Sequence, residues 1–268
     1  MRAALRNENI PGNKMKYFLS IAATDNSGGA GILRDALVAN DLGYWPLSVV
    51  TAVTSQSFTS VYDIFPLPVH VIEKQLKTCF EHFPVHCVKV GALINEDIVK
   101  TITSLLRKSI IQYLVLDPVI VASDGTPLLT PNAIQILKEE LLPMATVVTP
   151  NIHELELLTG VKCSNKVDAR EAGLKLSSEI HTEVLVKGGH LSGGIVTDFL
   201  LSEKYELSWE HEREDLAYTH GTGCVFSSAL TCFLGYGLSL CEAYQKASAF
   251  MLRFFIDAGK RYSNDVKL

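Results

Sequence analysis

The chain has 268 residues, 47% hydrophobic and 20% charged, enough apolar material for one large α/β domain or two small ones. A net charge of -5 provides no basic field for nucleic acid or an anionic membrane. An anionic substrate must therefore be met by local devices, such as backbone amides and single lysines.

Met1 to Lys16 is charged and Asn-bearing with no apolar stretch; it reads as an N-terminal arm rather than a signal peptide, with Met15 as an alternative start. From residue 17 to 268 we expect a single domain. Short apolar runs at Tyr17–Ala23, Leu47–Val53, His86–Val90, Tyr113–Leu116, Thr146–Val148 and Glu183–Val186 read as strands. Several are almost continuous Val, Ile and Leu, the pattern of strands buried on both faces of a parallel sheet. Helical faces lie between and after them: Ile72, Leu76, Cys79, Phe80 and Phe83; Ile98, Ile102, Leu105 and Leu106; Tyr244, Ala247, Met251 and Phe255. Ile195–Leu201 and Tyr205–Trp209 flank Ser202–Lys204 as an antiparallel edge hairpin, and helices are expected near 222–236 and 239–258. The order predicts an α/β fold, a three-layer doubly wound and mostly parallel sheet. The apolar stretch Val225–Leu240 is too short to span a bilayer. None of the six cysteines forms a zinc-like cluster, and a chain of this length does not need disulfides, so reduced thiols in a cytosol are expected.

In open α/β sheets ligands bind beyond the carboxyl ends of the strands, so the segments that follow the strands carry the chemistry. After the first strand comes Asp25-Asn26-Ser27-Gly28-Gly29-Ala30-Gly31, a glycine-rich turn without the third Gly of a dinucleotide fingerprint. Asp117 ends a buried apolar strand, where a carboxylate is costly unless a metal, a charged ligand or solvent receives it. Asn151 and Glu154 have capping-box spacing, yet they also enter the presumed cleft. Lys187 ends another strand and suits either a phosphate or a solvated turn. His220-Gly221-Thr222-Gly223-Cys224 precedes an apolar helix, so backbone amides and the helix dipole converge there as an anion hole. No G-x-x-x-x-G-K-S/T loop occurs.

Taken in order, these segments resemble the hydroxymethylpyrimidine/phosphomethylpyrimidine kinases, of the ribokinase-like superfamily. The matching pieces are Ser27 to Ile32, Thr51-Ala52 with Gln56, Lys89-Val90-Gly91, Leu116-Asp117, Pro127-Leu128-Leu129, Thr149-Pro150-Asn151 with Glu154, Lys187 to His190, and His220 to Cys224. The resemblance implies a ribokinase-like fold, often dimeric, using ATP and Mg2+ on a small-molecule substrate, with hydroxymethylpyrimidine as acceptor and its monophosphate as a further candidate. It implies that Asp35 and Gln56 bind the pyrimidine, with Ala30, Val53 or Thr54, Ala92 and Val119 lining its pocket. Gly221, Thr222 and Gly223 would form the anion hole, with Cys224 where many relatives carry a catalytic aspartate. Asp117, Asn151 and Glu154 would organise Mg2+ and phosphates, and Lys187 would face the nucleotide. Helix N-termini lower thiol pKa values, which makes Cys224 a candidate thiolate base.

The sequence departs from the family pattern at Ala23-Thr24, Arg34, Ala36 and Ala92, the last where methionine is common. Three other readings stay open. They are a pyridoxal or pyridoxine kinase on the same fold, a hydrolase with Cys224 as nucleophile and His220 as its base, and a non-catalytic pyrimidine-binding protein.

Overall fold

The structure is a computed structural model. It describes residues 15–191, 193–214, 216 and 219–262. Most of the expected N-terminal arm, 1–14, lies outside the described residues.

The strands are β1 (Tyr17–Asp25), β2 (Trp45–Gln56), β3 (Val61–Pro66), β4 (Cys87–Val90), β5 (Tyr113–Leu116), β6 (Val147–Val148), β7 (Glu183–Val186), β8 (Ile195–Leu201) and β9 (Glu206–Glu212). The helices are α1 (Gly31–Asp41), α2 (Val69–His82), α3 (Glu96–Leu106), α4 (Pro131–Ile136), α5 (Ile152–Thr159), α6 (Lys166–Ile180), α7 (Thr222–Gly235) and α8 (Leu240–Tyr262). All the strands join one sheet in the order β3-β2-β1-β4-β5-β6-β7-β8-β9. From β2 to β7 the pairs are parallel, and β3, β8 and β9 join antiparallel.

Every residue of β4 is buried, as its unbroken apolar run with one lysine requires of a central strand. One helical layer, with Ile72, Ile98, Ile102, Leu155 and Leu176, packs on one face of the sheet. Val38 of α1, Val225 and Leu230 of α7, and Ala247 of α8 pack on the other. Each fully buried Val, Leu or Ile of these layers contributes about 1.5–3 kcal/mol. Among the described residues no helix is long and apolar enough to cross a membrane.

Three elements differ from the sequence expectation. The second strand runs on to Gln56, and the 61–66 segment becomes an edge strand against it. Strand β3 lacked a clean signal because its outer positions carry Tyr62, Asp63 and Phe65 without strict alternation. Strand β9 continues to Glu212, three residues past the expected end of the hairpin.

Sheet order fixes the site. Strand β1 is followed outward by β2, but the chain returns to place β4 on its other side. The connections therefore diverge at the carboxyl ends of β1 and β4 and open a crevice there. Under that crevice lies a buried ion pair. Lys89 of β4 places Nζ 2.9 Å from both oxygens of Asp35 on α1. Ser20 of β1 and Ser228 of α7 donate to the same carboxylate at 2.6 and 2.8 Å. Both charged side chains are fully buried. Burial works against the Lys89 charge, but Asp35 outweighs it and the ammonium is held above its usual range.

Removing one partner of such a pair strands the other charge. Asp35→Asn should lower unfolding free energy by about 3–5 kcal/mol in urea titrations. Combining it with Lys89→Met should recover part of that loss, and a single-variant cost below about 1 kcal/mol would contradict the assignment.

Candidate active site

The crevice widens into a cleft of about 970 Å3 that runs from the β2 side of the sheet to β9 and α8. Thr24, Ala30, Thr54, Gln56, Ala92 and Val119 line it at the β2 side. Val196, Trp209, Leu216, Tyr244 and Met251 line it at the other. Charged residues lie between these two ends, at Asp117, Glu154 and Lys187, and at the β9 end, at Asp198, Glu210, Glu212 and Arg213.

Lys187 leaves β7 with its Nζ 2.8 Å from Asp117 Oδ1 at the end of β5. Its backbone N–H donates to the Pro150 carbonyl at 2.9 Å, which ties the ends of β6 and β7 together. The Asp117 carboxylate also accepts from Thr149 Oγ1 at 3.2 Å and from Ser227 Oγ of α7 at 3.0 Å. Burial would raise the Asp117 pKa, but Lys187 and Lys89 overcome it and hold the acid ionised below its usual range. Burial likewise opposes the Lys187 charge, and Asp117 and Glu154 restore it and push its pKa up.

Glu154 serves two ends. Its carboxylate accepts from the Asn151 N–H at 2.8 Å, and the Asn151 side chain accepts from the Glu154 N–H at 2.9 Å, a complete capping box on α5. It also lines the cleft, and burial pushes it up to about 8 against the opposing pull of Lys187. The cap and the cleft-facing carboxyl are thus one group.

The glycine-rich segment 221–224 closes the crevice from above. Gly221 is the N-cap of α7 at φ 82°, and a Cβ there would lie 1.9 Å from the Gly29 carbonyl oxygen. Only glycine fits that contact. A Cβ on Gly223 would lie 3.3 Å from Lys187 Nζ, so the start of α7 faces the cleft lysine.

Asp25 binds the first and last glycine segments to each other. Its oxygens accept from Ser27 N at 2.7 Å, Ser27 Oγ at 2.6 Å and Ala30 N at 2.8 Å, and His220 Nε2 stands 3.0 Å away. Burial opposes the Asp25 charge, but His220 and the Ser27 and Ala30 donors hold the acid at about 2. Arg34 reinforces the join through Nε to the Gly29 carbonyl at 3.1 Å.

The structure brings Ala30, Gln56, Ala92, Asp117, Val119, Asn151, Glu154, Lys187, Gly221, Thr222, Gly223 and Cys224 to one cleft. Two expected residues lie elsewhere. Asp35 faces down from α1 into the buried pair with Lys89, where no ligand in the cleft meets it. Val53 is exposed, because β2 takes an extra residue where Ala22 pairs with Val50 and Thr24 with Val53. That bulge turns Thr54 inward instead. The expected Cys224 thiolate is also corrected, since burial pushes the thiol up and Lys89 offsets only part of the effect.

Asp25, Lys89 and the bridging role of His220 had no sequence assignment. The available signal was Asp25 at a strand end two residues before Ser27, the spacing of an Asx-turn.

A family model for phosphomethylpyrimidine kinase matches residues 25–263. The hydroxymethylpyrimidine/phosphomethylpyrimidine kinase of Haemophilus influenzae is 36% identical over 243 residues, 89% of this chain and 90% of that protein. A solved phosphomethylpyrimidine kinase from Clostridium difficile aligns with a TM-score of 0.78 and 33% identity, covering 89% of this chain and 98% of that chain. A pyridoxal kinase from Staphylococcus aureus, solved in complex with ADP, aligns with a TM-score of 0.82 and 32% identity, covering 90% and 88%. With the cleft at the switch point and a glycine-rich helix entry facing a lysine, these matches show that the chain belongs to the phosphomethylpyrimidine kinase family.

Proposed function

We propose that the protein transfers the γ-phosphoryl group of ATP to the hydroxymethyl oxygen of hydroxymethylpyrimidine. The observation that carries this reading is the convergence of Lys187 on the start of α7, 3.3 Å from a Cβ position on Gly223. A cation and a helix N-terminus facing one point suit the charge of a phosphoryl group in flight. The hydroxymethyl oxygen attacks the γ-phosphorus as the bond to the β-phosphate oxygen breaks, and the hydroxyl proton departs late, so no strong base is needed. That proton passes to an oxygen of the transferred phosphoryl group and from there to solvent, with Cys224, its thiol pushed up, at the first turn of α7 beside it.

The residues suit a nucleotide-borne Mg2+ rather than a resident ion. Among the described residues no group of three or more His, Cys, Asp or Glu gathers to hold a metal. Both oxygens of Asp117 are engaged by Lys187, Thr149 and Ser227, which leaves Glu154 as the cleft carboxylate with capacity to spare. Mg2+ commonly takes one or two carboxylates and completes its shell with phosphate and water. When bound, the ion would neutralise charge on the phosphates. The proposed setting is the cytosol, and the proposed state a homodimer.

The pyridoxine reading keeps support from two facts, the likeness to a pyridoxal kinase and the small Ala92 at the cleft wall. Neither Phe58 nor Tyr62, the candidates to fill the space beside it, lines the cleft. The hydrolase reading is disfavoured, because burial pushes the Cys224 thiol up and away from a thiolate nucleophile.

Glu154→Gln separates the cap from the chemistry, because the amide oxygen can still accept from Asn151. Turnover should fall about 100-fold or more. The raised Glu154 pKa penalises the fold as pH climbs from the usual carboxylate range through about 8. The Gln variant should therefore gain on the wild type in melting temperature over that window. A variant that loses its melting temperature but keeps turnover would leave Glu154 a cap alone.

The two glycines should differ. Gly221→Ala should cut turnover roughly 100-fold or more and destabilise the fold, whereas Gly223→Ala presses only on the flexible end of Lys187 and should keep more activity. Equal effects in steady-state kinetics would contradict this assignment.

For Ala92→Met, added bulk should shift relative kcat/KM toward hydroxymethylpyrimidine over pyridoxine by about 1–3 kcal/mol. A wild type that rejects pyridoxine, with no change in the variant, would show the wall is filled elsewhere.

A further inference from the structure

Arg213 follows β9 directly and lines the cleft with Gly189, His190 and Leu216. Its side chain spends its donors on backbone carbonyls. Nε donates to Gly193 at 2.9 Å, one terminal nitrogen to Gly189 at 2.7 Å and the other to Leu191 at 2.5 Å. Its own N–H adds a bond to the Gly194 carbonyl at 2.8 Å.

The backbone that it holds is rich in glycine. Gly188 is wedged against β8, where a Cβ would lie 2.0 Å from the Thr197 carbonyl oxygen, and its N–H donates to Asp198 at 2.7 Å. Beyond Gly188 the Leu191 N–H closes a short turn on the Gly188 carbonyl at 3.0 Å and Leu191 packs on the core, but a Cβ on Gly189, Gly193 or Gly194 would meet nothing within 4 Å. Three glycines without neighbours carry a large conformational entropy. A planar guanidinium that grips three carbonyls removes it, and each fixed carbonyl also fixes the N–H across its trans peptide, those of His190 and Gly194 included.

We propose that Arg213 is a positioning residue for the nucleotide, whose guanidinium fork holds Gly188–Leu191 and Gly193–Gly194 in the shape that completes the wall beside Lys187. This inference rests on the ATP-dependent kinase reading above. The fork is the working feature, because an ammonium is a point charge and cannot hold three carbonyls in one plane. Preorganisation lost in the free protein must be regained on binding, so it appears as weaker nucleotide affinity.

The test compares wild type, Arg213→Met and Arg213→Lys by calorimetric titration with ADP, steady-state kinetics and hydrogen exchange. Both variants should raise the Kd for ADP and the KM for ATP roughly tenfold, with KM for the pyrimidine and the melting temperature nearly unchanged. Amides at 188–191 should exchange faster in both variants before ADP is added. Wild-type ADP binding by Arg213→Lys would show that charge on the phosphates, not the fork, is what matters, and would overturn the proposal. So would unchanged ADP binding by Arg213→Met, or a joint loss of both KM values and melting temperature. A wild type that binds no ADP would defeat the kinase reading and this inference with it, whereas tight binding by both wild type and Arg213→Met would defeat this inference alone.

Discussion

Lys89 and Asp35 are both removed from water, and two such charges tolerate only partners in fixed places. Their partners come from four elements: Ser20 on β1, Asp35 on α1, Lys89 on β4 and Ser228 on α7. Those elements meet where the sheet order reverses, so the pair registers the two halves of the sheet against each other. It also fixes α7 one turn beyond Cys224, which sets how far the start of that helix reaches over the cleft. Hydrophobic packing alone would tolerate small slides of α7 across the sheet; a fully bonded buried carboxylate does not.

Above that floor the site is electrostatically divided. Asp117 stays ionised because two lysines face it, whereas Glu154, sharing one of those lysines and lying near Asp117, is pushed toward its neutral form. Two acids in one cleft thus differ: Asp117 is paired with Lys187, and Glu154 is held toward its neutral form chiefly by burial. Burial of both acids enlarges these effects by excluding water.

The glycine-rich entry to α7 depends on a join between residues almost two hundred positions apart in the chain. Gly221 approaches the Gly29 carbonyl so closely that the two glycine segments behave as one surface, and Asp25 fastens them through His220 and the Ala30 amide. The segments 25–31 and 220–224 of the cleft wall are therefore not independent. A change at Asp25 or Gly29 should be felt at the start of α7.

The sequence by itself determined the alternation of buried strands and amphipathic helices, and with it the doubly wound fold. It also marked the strand-end segments of the cleft that carry Asp117, Asn151, Lys187 and Gly221, because chemistry in such sheets falls at strand ends, but not the lining from β9 and α8. Only tertiary structure decided which way the intervening residues turn. One added residue in β2 decided between Val53 and Thr54, and a shift of that kind depends on pairing with β1 that no local pattern contains. Asp35 falls at the place in α1 where a ligand-binding acid is expected from resemblance, yet Lys89, fifty-four positions away, draws it under the floor. The thiol of Cys224 met the same limit: a helix N-terminus argues for a thiolate, and only the burial imposed by the surrounding layers shows that desolvation wins.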